Sequence, residues 1–284
     1  MNLLLPKAPS KLLPARWRDL LAAWKRRILF FGLRYYCPFC HAWLSRLVPF
    51  GVDTAVLRTM QVVGGGRRLC RCAVCGSSDR QRLTLDYIKH CTQLLTHPGL
   101  RVLHFAAEPT LERILRRALG RRYTTADLSN PTADMHFDIQ SIPFESDSFD
   151  AILCSHVLEH VPDDRRALAE LLRILKPGGW ALLQAPISYL LPETLEDPNV
   201  CTKDERLRRF GQEDHLRLYG RDYPSRVRAA GFQVEEFRWS DPQNISHFGS
   251  SQNRHGLNSA EVLYVGRKMS GSGSYPSEEC GTPA

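Results

Sequence analysis

Two kinds of hydrophobic pattern alternate along the rear two thirds of the chain. Short apolar runs predict strands at 101–105, 123–126, 149–154, 180–184, 232–239 and 261–266, whereas amphipathic stretches predict helices at 111–119, 165–175 and 223–230. Strands that alternate with helices are typical of a parallel sheet covered by helices on both faces. No helical stretch separates the last two strands, so we expect them to form an antiparallel terminal pair.

A different pattern occupies residues 1–36, the first predicted unit. Apolar residues recur at helical spacing from Trp17 to Phe31, with arginine and lysine interleaved, and predict an amphipathic helix that starts after Pro14. The pattern favours packing of this apolar stripe on the rest of the protein. The alternative is a peripheral contact of residues 14–33 with an anionic membrane surface.

The composition limits the class of protein. Hydrophobic residues make up 43% of the 284 residues and charged residues 24%, which excludes collagen-like, low-complexity and mainly disordered chains. No apolar run approaches the ~18–20 residues of a membrane-spanning helix. The N-terminus lacks the apolar core of a secretory signal, so we expect a cytoplasmic protein.

The charge is divided unevenly. Residues 1–98 have a formal charge of +12 and residues 99–284 of −4, within a total of +8. This asymmetry indicates two modules with different roles, and the basic front half is suited to phosphate or an anionic surface. RNA is therefore a candidate partner, and a well-solvated basic surface is the alternative.

Five of the nine cysteines lie between residues 37 and 75. Cys37 and Cys40 form one C-x2-C pair, and Cys72 and Cys75 form a second. Two such pairs direct four thiolates towards one centre and predict a tetrahedral zinc site, whose role is structural because no ligand position stays open. The alternative is a small core of reduced thiols. We assign residues 37–98 to this module and a linking helix.

The predicted sheet indicates where a ligand would bind. In open α/β sheets, ligands bind at the carboxyl ends of the strands. Asp127 ends the second strand, where a carboxylate can accept both hydroxyls of a ribose. Asp138 and Ile139 follow it and combine a polar group with an apolar neighbour, which suits an adenine ring.

One segment has a specific resemblance to a known family. The residues Val157-Leu-Glu-His-Val161, followed by Leu175-Lys-Pro-Gly-Gly179, resemble the class I S-adenosylmethionine-dependent methyltransferases over 99–267. The resemblance implies a Rossmann-like, seven-stranded sheet with an antiparallel terminal strand over 99–269. The composition of residues 270–284, rich in Gly, Ser, Pro and Glu, predicts a disordered tail. Cys37–Arg82 and Phe210–Gly220 resemble segments of an uncharacterised subgroup that begins with a zinc-ribbon-like module.

The resemblance also implies the cofactor contacts. They are His104, Phe105, Ala106, Ala107, Glu108, Asp127, Leu128, Asp138, Ile139, Ser155 and His156. The family's acid and Gly-x-Gly-x-Gly turn are replaced by His104, Ala106, Glu108 and Thr110. We expect alanine here only with negative φ, and Glu108 can supply a carboxylate for the cofactor's ammonium group.

Candidate catalytic groups are His156, after the fourth strand, and His215. Glu159 and His160 either act directly or brace the following helix. The candidate acceptor contacts are Gln212, Asp214, His215, Arg217 and Tyr219, and Asp214 is expected to orient His215.

The sequence therefore predicts a methyltransferase with S-adenosylmethionine as cofactor, structural zinc, and a small polar or sugar-type acceptor. An RNA methyltransferase of the rRNA type is one alternative. A non-catalytic nucleic-acid or membrane-surface adaptor on a relic fold is another.

Overall fold

The computed structural model describes residues 14–245 and 253–270, so the prediction of a disordered tail lies outside the described residues except at Ser270. Helix α1 (Ala15–Leu29) begins after Pro14, as predicted. Its apolar stripe stays largely exposed, with Trp17 58% and Trp24 62% accessible. The expectation that the stripe packs on the rest of the protein is therefore wrong. Within the described ranges, no helix is both long and apolar enough to cross a membrane.

The cysteine module consists of short elements. They are β1 (Tyr35–Tyr36), β2 (Trp43–Leu44), β3 (Val48–Phe50), α2 (Ala55–Thr59), β4 (Arg68–Arg71) and α3 (Asp79–Cys91). The β1–β2 hairpin carries the first cysteine pair, and the second pair follows β4, which is antiparallel to β3. Ser78 and Gln81 form a capping box that fixes the start of α3.

Alternating strands and helices follow, as the pattern predicts. They are β5 (Val102–Phe105), α4 (Pro109–Leu119), β6 (Tyr123–Ala126), β7 (Phe149–Ser155), α5 (Asp164–Ile174), β8 (Leu175–Gln184), β9 (Leu195–Glu196), α6 (Lys203–Phe210), β10 (Arg217–Leu218), α7 (Tyr223–Ala229), β11 (Gln233–Phe237) and β12 (Leu263–Arg267). Single 3-10 turns occupy Gly120–Arg122 and Leu158–His160.

The main sheet has the order β11-β12-β8-β7-β5-β6. Strands β5 to β8 are parallel, and β12 is antiparallel to both of its neighbours. The α/β Rossmann-like class and the antiparallel terminal strand are thus confirmed.

The main sheet has six strands within the described residues, whereas seven were expected. A single parallel bridge from Ala126 to Met135 stands where a further edge strand would lie. The Asp134 carboxylate accepts hydrogen bonds from the amide and the hydroxyl of Thr125, which keeps this segment in a turn.

Both faces of the sheet are covered. Helices α5 and α7 pack on one face, and α4 packs on the other together with α3 of the cysteine module. Arg82 of α3 is almost fully buried, and its guanidinium donates to the carbonyls of Cys70, Ser77, His255 and Gly256. The cysteine module is therefore built into the main core.

Candidate functional site

The loop after β5 forms the floor of the predicted crevice. Ala106 is exposed and has φ +48°, so the expectation of a negative φ is wrong. Left-handed backbone costs a residue with a Cβ about 1–2 kcal/mol. The amide of Ala106 donates to the carbonyl of Ala126, which holds the loop against the end of β6. The turn thus keeps the glycine-like conformation that the alanine was expected to prevent.

Glu108 stands at the start of α4, and the buried His104 lies beneath it. The Nε2 atom of His104 is 3.4 Å from a Glu108 carboxylate oxygen, and its Nδ1 is 2.7 Å from the Tyr123 hydroxyl. Burial by itself raises the pKa of Glu108, but the hydrogen bond and charge of His104 and the charge of Arg80 lower it overall. Glu108 therefore offers an ionised carboxylate at the crevice.

The neighbours of this pair differ in burial. Phe105 is buried and packs edge-on against Phe137, whereas Ala107 is half-buried. The hydroxyl oxygen of Thr110 is buried and has no hydrogen-bond partner within the described residues.

Asp127 follows β6 at the next strand end. Its Oδ1 atom accepts hydrogen bonds from the amides of Ser129 and Asn130, each at 2.8 Å. The turn is thus held by one carboxylate oxygen. Leu128 is 72% exposed beside it.

Asp138 and Ile139 lie in the turn that follows. Both oxygens of Asp138 accept from the side-chain amide of Gln140, so this exposed carboxylate is held by its neighbour. Ile139 is 6% exposed and belongs to the main core.

Ser155 and His156 end β7. Ser155 is half-buried, and His156 has φ +56°, while its amide donates to the Gln184 carbonyl. The Nδ1 atom of His156 is 3.3 Å from Glu159 Oε1, and its Nε2 is buried without a hydrogen-bond partner within the described residues. Burial and the Arg80 charge lower the pKa of His156. Its imidazole is consequently neutral at pH 7.

His215 and Glu159 are both almost fully buried. Neither ring nitrogen of His215 and neither carboxylate oxygen of Glu159 makes a hydrogen bond within the described residues. Asp214 does not orient His215 as expected, because its Oδ2 atom lies 3.3 Å from Nδ1 of His160 instead. The structure thus brings together four residues that the sequence analysis named as candidate catalytic groups. They are His156, Glu159, His160 and His215.

Arg217 and Tyr219, expected to contact the acceptor, are buried and occupied. The Arg217 guanidinium donates to the carbonyls of Leu158, Val161 and Pro162 and to Glu196. The Tyr219 hydroxyl donates to Asp164 at 2.8 Å. Both side chains therefore stabilise the segment after β7. The expectation that they contact the acceptor is corrected.

Sequence reasoning missed the contribution of the front module to the crevice. Gly64, Arg80 and Gln212 line a cavity of about 160 Å³. Arg80 also acts electrostatically on Glu108 and His156, and it donates to the Gly64 carbonyl. Glu261 accepts from Gln184 nearby, and burial raises its pKa to about 7. In the sequence, only the basic charge of the front half indicated that a residue such as Arg80 could contribute to the crevice.

The four cysteines of the two C-x2-C pairs converge, as predicted. Their sulfur atoms lie within 4.8 Å of one another, with Cys37 Sγ to Cys75 Sγ at 3.5 Å and Cys40 Sγ to Cys72 Sγ at 3.7 Å. The Ser77 hydroxyl is 3.3 Å from both Cys37 Sγ and Cys75 Sγ. These distances are far longer than the ~2.05 Å of a disulfide, so the cluster consists of four thiols.

Comparisons with known proteins agree with this geometry. Residues 92–183 match the family model described as "Methyltransferase domain". A demethylmenaquinone methyltransferase from Clavibacter sepedonicus is 35% identical over 95 residues, which are 28% of this chain and 39% of that protein. A 27-O-demethylrifamycin SV methyltransferase from Amycolatopsis mediterranei is 27% identical over 124 residues, which are 44% of this chain and 43% of that protein.

The chain spans less than half the length of the curated relatives it matches. Among solved structures, the YcgJ protein from Bacillus subtilis is similar, with 18% identity and a TM-score of 0.40 over 68% of this chain and all of that one.

Proposed function

We propose that this chain, whose residues 92–183 belong to the methyltransferase domain family, transfers a methyl group from S-adenosylmethionine to a small polar acceptor. The observation that carries the proposal is the convergence of three strand ends. The Ala106–Glu108 loop, the Asp127–Leu128 pair and the Ser155–His156 pair all lie at the carboxyl edge of β5, β6 and β7. This edge is the usual ligand-binding edge of an open α/β sheet.

The side chains at this edge fit the parts of the cofactor. Asp127 holds its turn through Oδ1, so Oδ2 suits the ribose hydroxyls. The exposed Leu128 gives an apolar surface for the adenine ring. The ionised Glu108 suits the ammonium group, and the unpartnered hydroxyl of Thr110 offers a further polar contact.

The cofactor, when bound, supplies an electrophilic methyl group on a sulfonium whose leaving group is neutral. The protein therefore contributes mainly proximity and orientation. A general base is needed only where the acceptor atom carries a proton in its resting form. His156 is suited to that role, because its lowered pKa leaves a neutral imidazole at the end of β7.

The proposed acceptor is a small molecule. The two relatives named above are called methyltransferases of demethylmenaquinone and of 27-O-demethylrifamycin SV, both small molecules. The polar side chains of Gln212, which shares a cavity with Arg80, and of Asp214, which lies beside His160, favour a polar or sugar-type compound within that class. An RNA acceptor has no comparable support.

Calorimetric titration with S-adenosylmethionine and with its demethylated product tests the cofactor assignment. Asp127→Asn is the sharpest variant, because its amide oxygen can still accept from Ser129 and Asn130 while an NH2 group replaces Oδ2. We expect this change to weaken cofactor binding by about 1.5–3 kcal/mol, the value of a hydrogen bond to a charged group. Asp204→Asn, on the exposed first turn of α6, is the matched control. Equal affinity in wild type and Asp127→Asn would overturn the assignment.

The four-cysteine cluster is proposed to hold structural zinc. Tetrahedral zinc with Zn–S bonds of about 2.3 Å separates its sulfur atoms by about 3.8 Å, close to the observed 3.5 and 3.7 Å. The Ser77 hydroxyl would then serve as a hydrogen-bond donor to the thiolates. Metal analysis of Cys37→Ser should show the loss of one zinc per chain, and unchanged zinc would reject this role.

A second role, contact with an anionic membrane surface, is proposed for α1. The exposure of its tryptophans favours this role, and residues 14–33 carry five basic side chains and one acidic. Such a helix lies in the interface with its apolar face buried. Sedimentation with anionic vesicles should capture the wild type and lose Trp17→Ala/Trp24→Ala, and no binding by the wild type would reject the role.

A further inference from the structure

A compact set of donor atoms lies beside the proposed crevice without any assigned role. Glu159, His160 and His215 each place a ligand-type atom within 4.8 Å of the others. Glu159 and His215 are about 99% buried, and apart from His156 Nδ1, which lies 3.3 Å from Glu159 Oε1, their polar side-chain atoms have no hydrogen-bond partner within the described residues. Buried polar groups are almost always paired, and each unpaired one costs about 1–3 kcal/mol. One ligand-type atom of each of the three residues lies close to the other two, so a single bound ion could pair them.

The geometry points to a divalent transition-metal ion held by Glu159, His160 and His215. One carboxylate oxygen and two imidazole nitrogens are ligands of zinc, manganese, iron and cobalt, whereas calcium and magnesium prefer oxygen ligands only. The site is distinct from the cysteine cluster, since the two sets share no residue.

The surrounding contacts hold these ligands in place. The Arg217 guanidinium fixes the carbonyls of Leu158 and Val161 on either side of Glu159 and His160. The Leu216 amide donates to the Glu159 carbonyl at 2.8 Å, which ties His215 to the same turn. Two ligand-bearing segments far apart in sequence are thus joined by backbone hydrogen bonds.

A contact with the backbone orients the ring of His160 for metal binding. The Nδ1 atom of His160 lies 3.3 Å from the carbonyl oxygen of Asp214, and an N–H there leaves the lone pair on Nε2 for the ion. Metal-binding histidines usually donate their other nitrogen in this way.

Three protein ligands leave at least one coordination position open. Because Glu159 contacts His156 at the end of β7, an ion held here would lie beside the proposed crevice. A hydroxyl group bound there would lose its proton more readily, as metal-bound water does. The acceptor class is then a molecule with a hydroxyl whose oxygen attacks the methyl carbon. The methyl–sulfur bond breaks with its electron pair returning to sulfur, and the hydroxyl proton passes to His156 or solvent; this last step rests on the proposed function.

Cobalt titration of the zinc-loaded protein tests the site without any methyl transfer. We expect one Co²⁺ per chain beyond the zinc, with weak visible absorption bands and no thiolate-to-metal charge-transfer band. A charge-transfer band would show binding at the cysteines and would count against the site, as would the absence of binding by the wild type.

Variants of the ligands define the site further. Glu159→Gln and His215→Gln should each weaken Co²⁺ binding at least about 100-fold, since even outer-shell partners are worth 10- to 100-fold. His97→Ala, on an exposed loop, is the matched control and should bind as the wild type does. If a buried variant fails to fold, His160→Gln replaces it, because that side chain is 33% exposed. Wild-type affinity for Co²⁺ in these variants would overturn the site. Calorimetric titration with S-adenosylmethionine tests the proposed function independently of that outcome.

Discussion

Two buried polar clusters lie side by side at the carboxyl edge of the sheet, and they differ in how completely they are paired. The first, which we call the braced cluster, consists of Asp164, Arg217, Tyr219 and Arg226, with the exposed Glu196 at its rim. Both Asp164 oxygens accept hydrogen bonds, and each guanidinium donates to several oxygens. The second, the unpaired cluster, consists of His156, Glu159, His215, Gln184 and Glu261, each with at least one buried polar atom that lacks a hydrogen-bond partner among the described residues.

The difference separates scaffold from site. A fully paired network lowers the free energy of the folded state and fixes one geometry. The hydrogen-bonding groups of its residues are satisfied within the protein and are not available to a ligand. An unpaired network costs stability until a ligand supplies the missing partners. Both clusters come from similar polar residues, and some are neighbours in sequence, so pairing and not residue type distinguishes their roles.

The largest effect should follow from breaking the braced cluster. Arg217→Ala leaves Asp164 less compensated and removes the guanidinium donor from three backbone carbonyls, so we expect a loss of about 3–5 kcal/mol in the free energy of unfolding. Urea denaturation measures it. Arg228→Ala, which breaks an exposed pair with Glu236, should cost less than about 1 kcal/mol. A similar small loss in Arg217→Ala would contradict the distinction between the clusters.

A smaller effect should appear as a pH dependence from the unpaired cluster. Burial raises the pKa of Glu261 from 4.5 in the unfolded chain to about 7 in the folded protein. The folded state therefore binds the proton more tightly, and stability present below pH ~4.5 is lost as the pH rises through about 7. The loss amounts to about 3 kcal/mol.

Unfolding free energies at about pH 5 and about pH 8 check this sign. Glu261→Gln should remove the Glu261 contribution to the difference, because its neutral amide can pair with Gln184 at either pH. Glu235→Gln, on the exposed edge strand, should keep the wild-type pH profile. An unchanged profile in Glu261→Gln would show that this carboxyl does not titrate as described.

The smallest effect should come from Glu159→Gln without added divalent metal. The carboxylate has a close contact with His156 Nδ1 at 3.3 Å, and the glutamine oxygen can keep that contact, so we expect the free energy of unfolding to stay within about 1 kcal/mol of the wild type. Asp164→Asn in the braced cluster is the comparison and should lose more. A loss of 3 kcal/mol or more in Glu159→Gln would place Glu159 among the paired residues.

Patterns that are local in sequence predicted the most. The strand and helix alternation gave the order of the elements because apolar periodicity reflects which face is buried. The two C-x2-C spacings located the cysteine cluster, since each turn brings its own pair of sulfur atoms together. The antiparallel terminal strand followed from the missing helix between the last two strands.

Features that depend on distant partners could not be predicted. Arg217 and Asp214 stand in one polar run of the sequence, but only Arg217 is buried. The carbonyls that accept from Arg217 lie 55–59 residues away along the chain, so the local sequence does not show them. Ala106 adopts a positive φ because a backbone hydrogen bond to Ala126 holds it there. The apolar stripe of α1 has the periodicity of a packed helix, and periodicity alone does not say whether a partner surface exists within the chain.

The buried guanidinium of Arg82 has a consequence for the order of folding during synthesis. It joins the turn at Ser77 to the carbonyl of His255, which is 173 residues further along the chain. The front module cannot complete its contacts until that late segment has left the ribosome, so closure of this long loop belongs to the last stage of folding. A fragment that stops before residue 255 should therefore keep the Cys70 and Ser77 carbonyls but lack those of His255 and Gly256, which leaves the Arg82 guanidinium only partly paired and the fragment open to proteolysis.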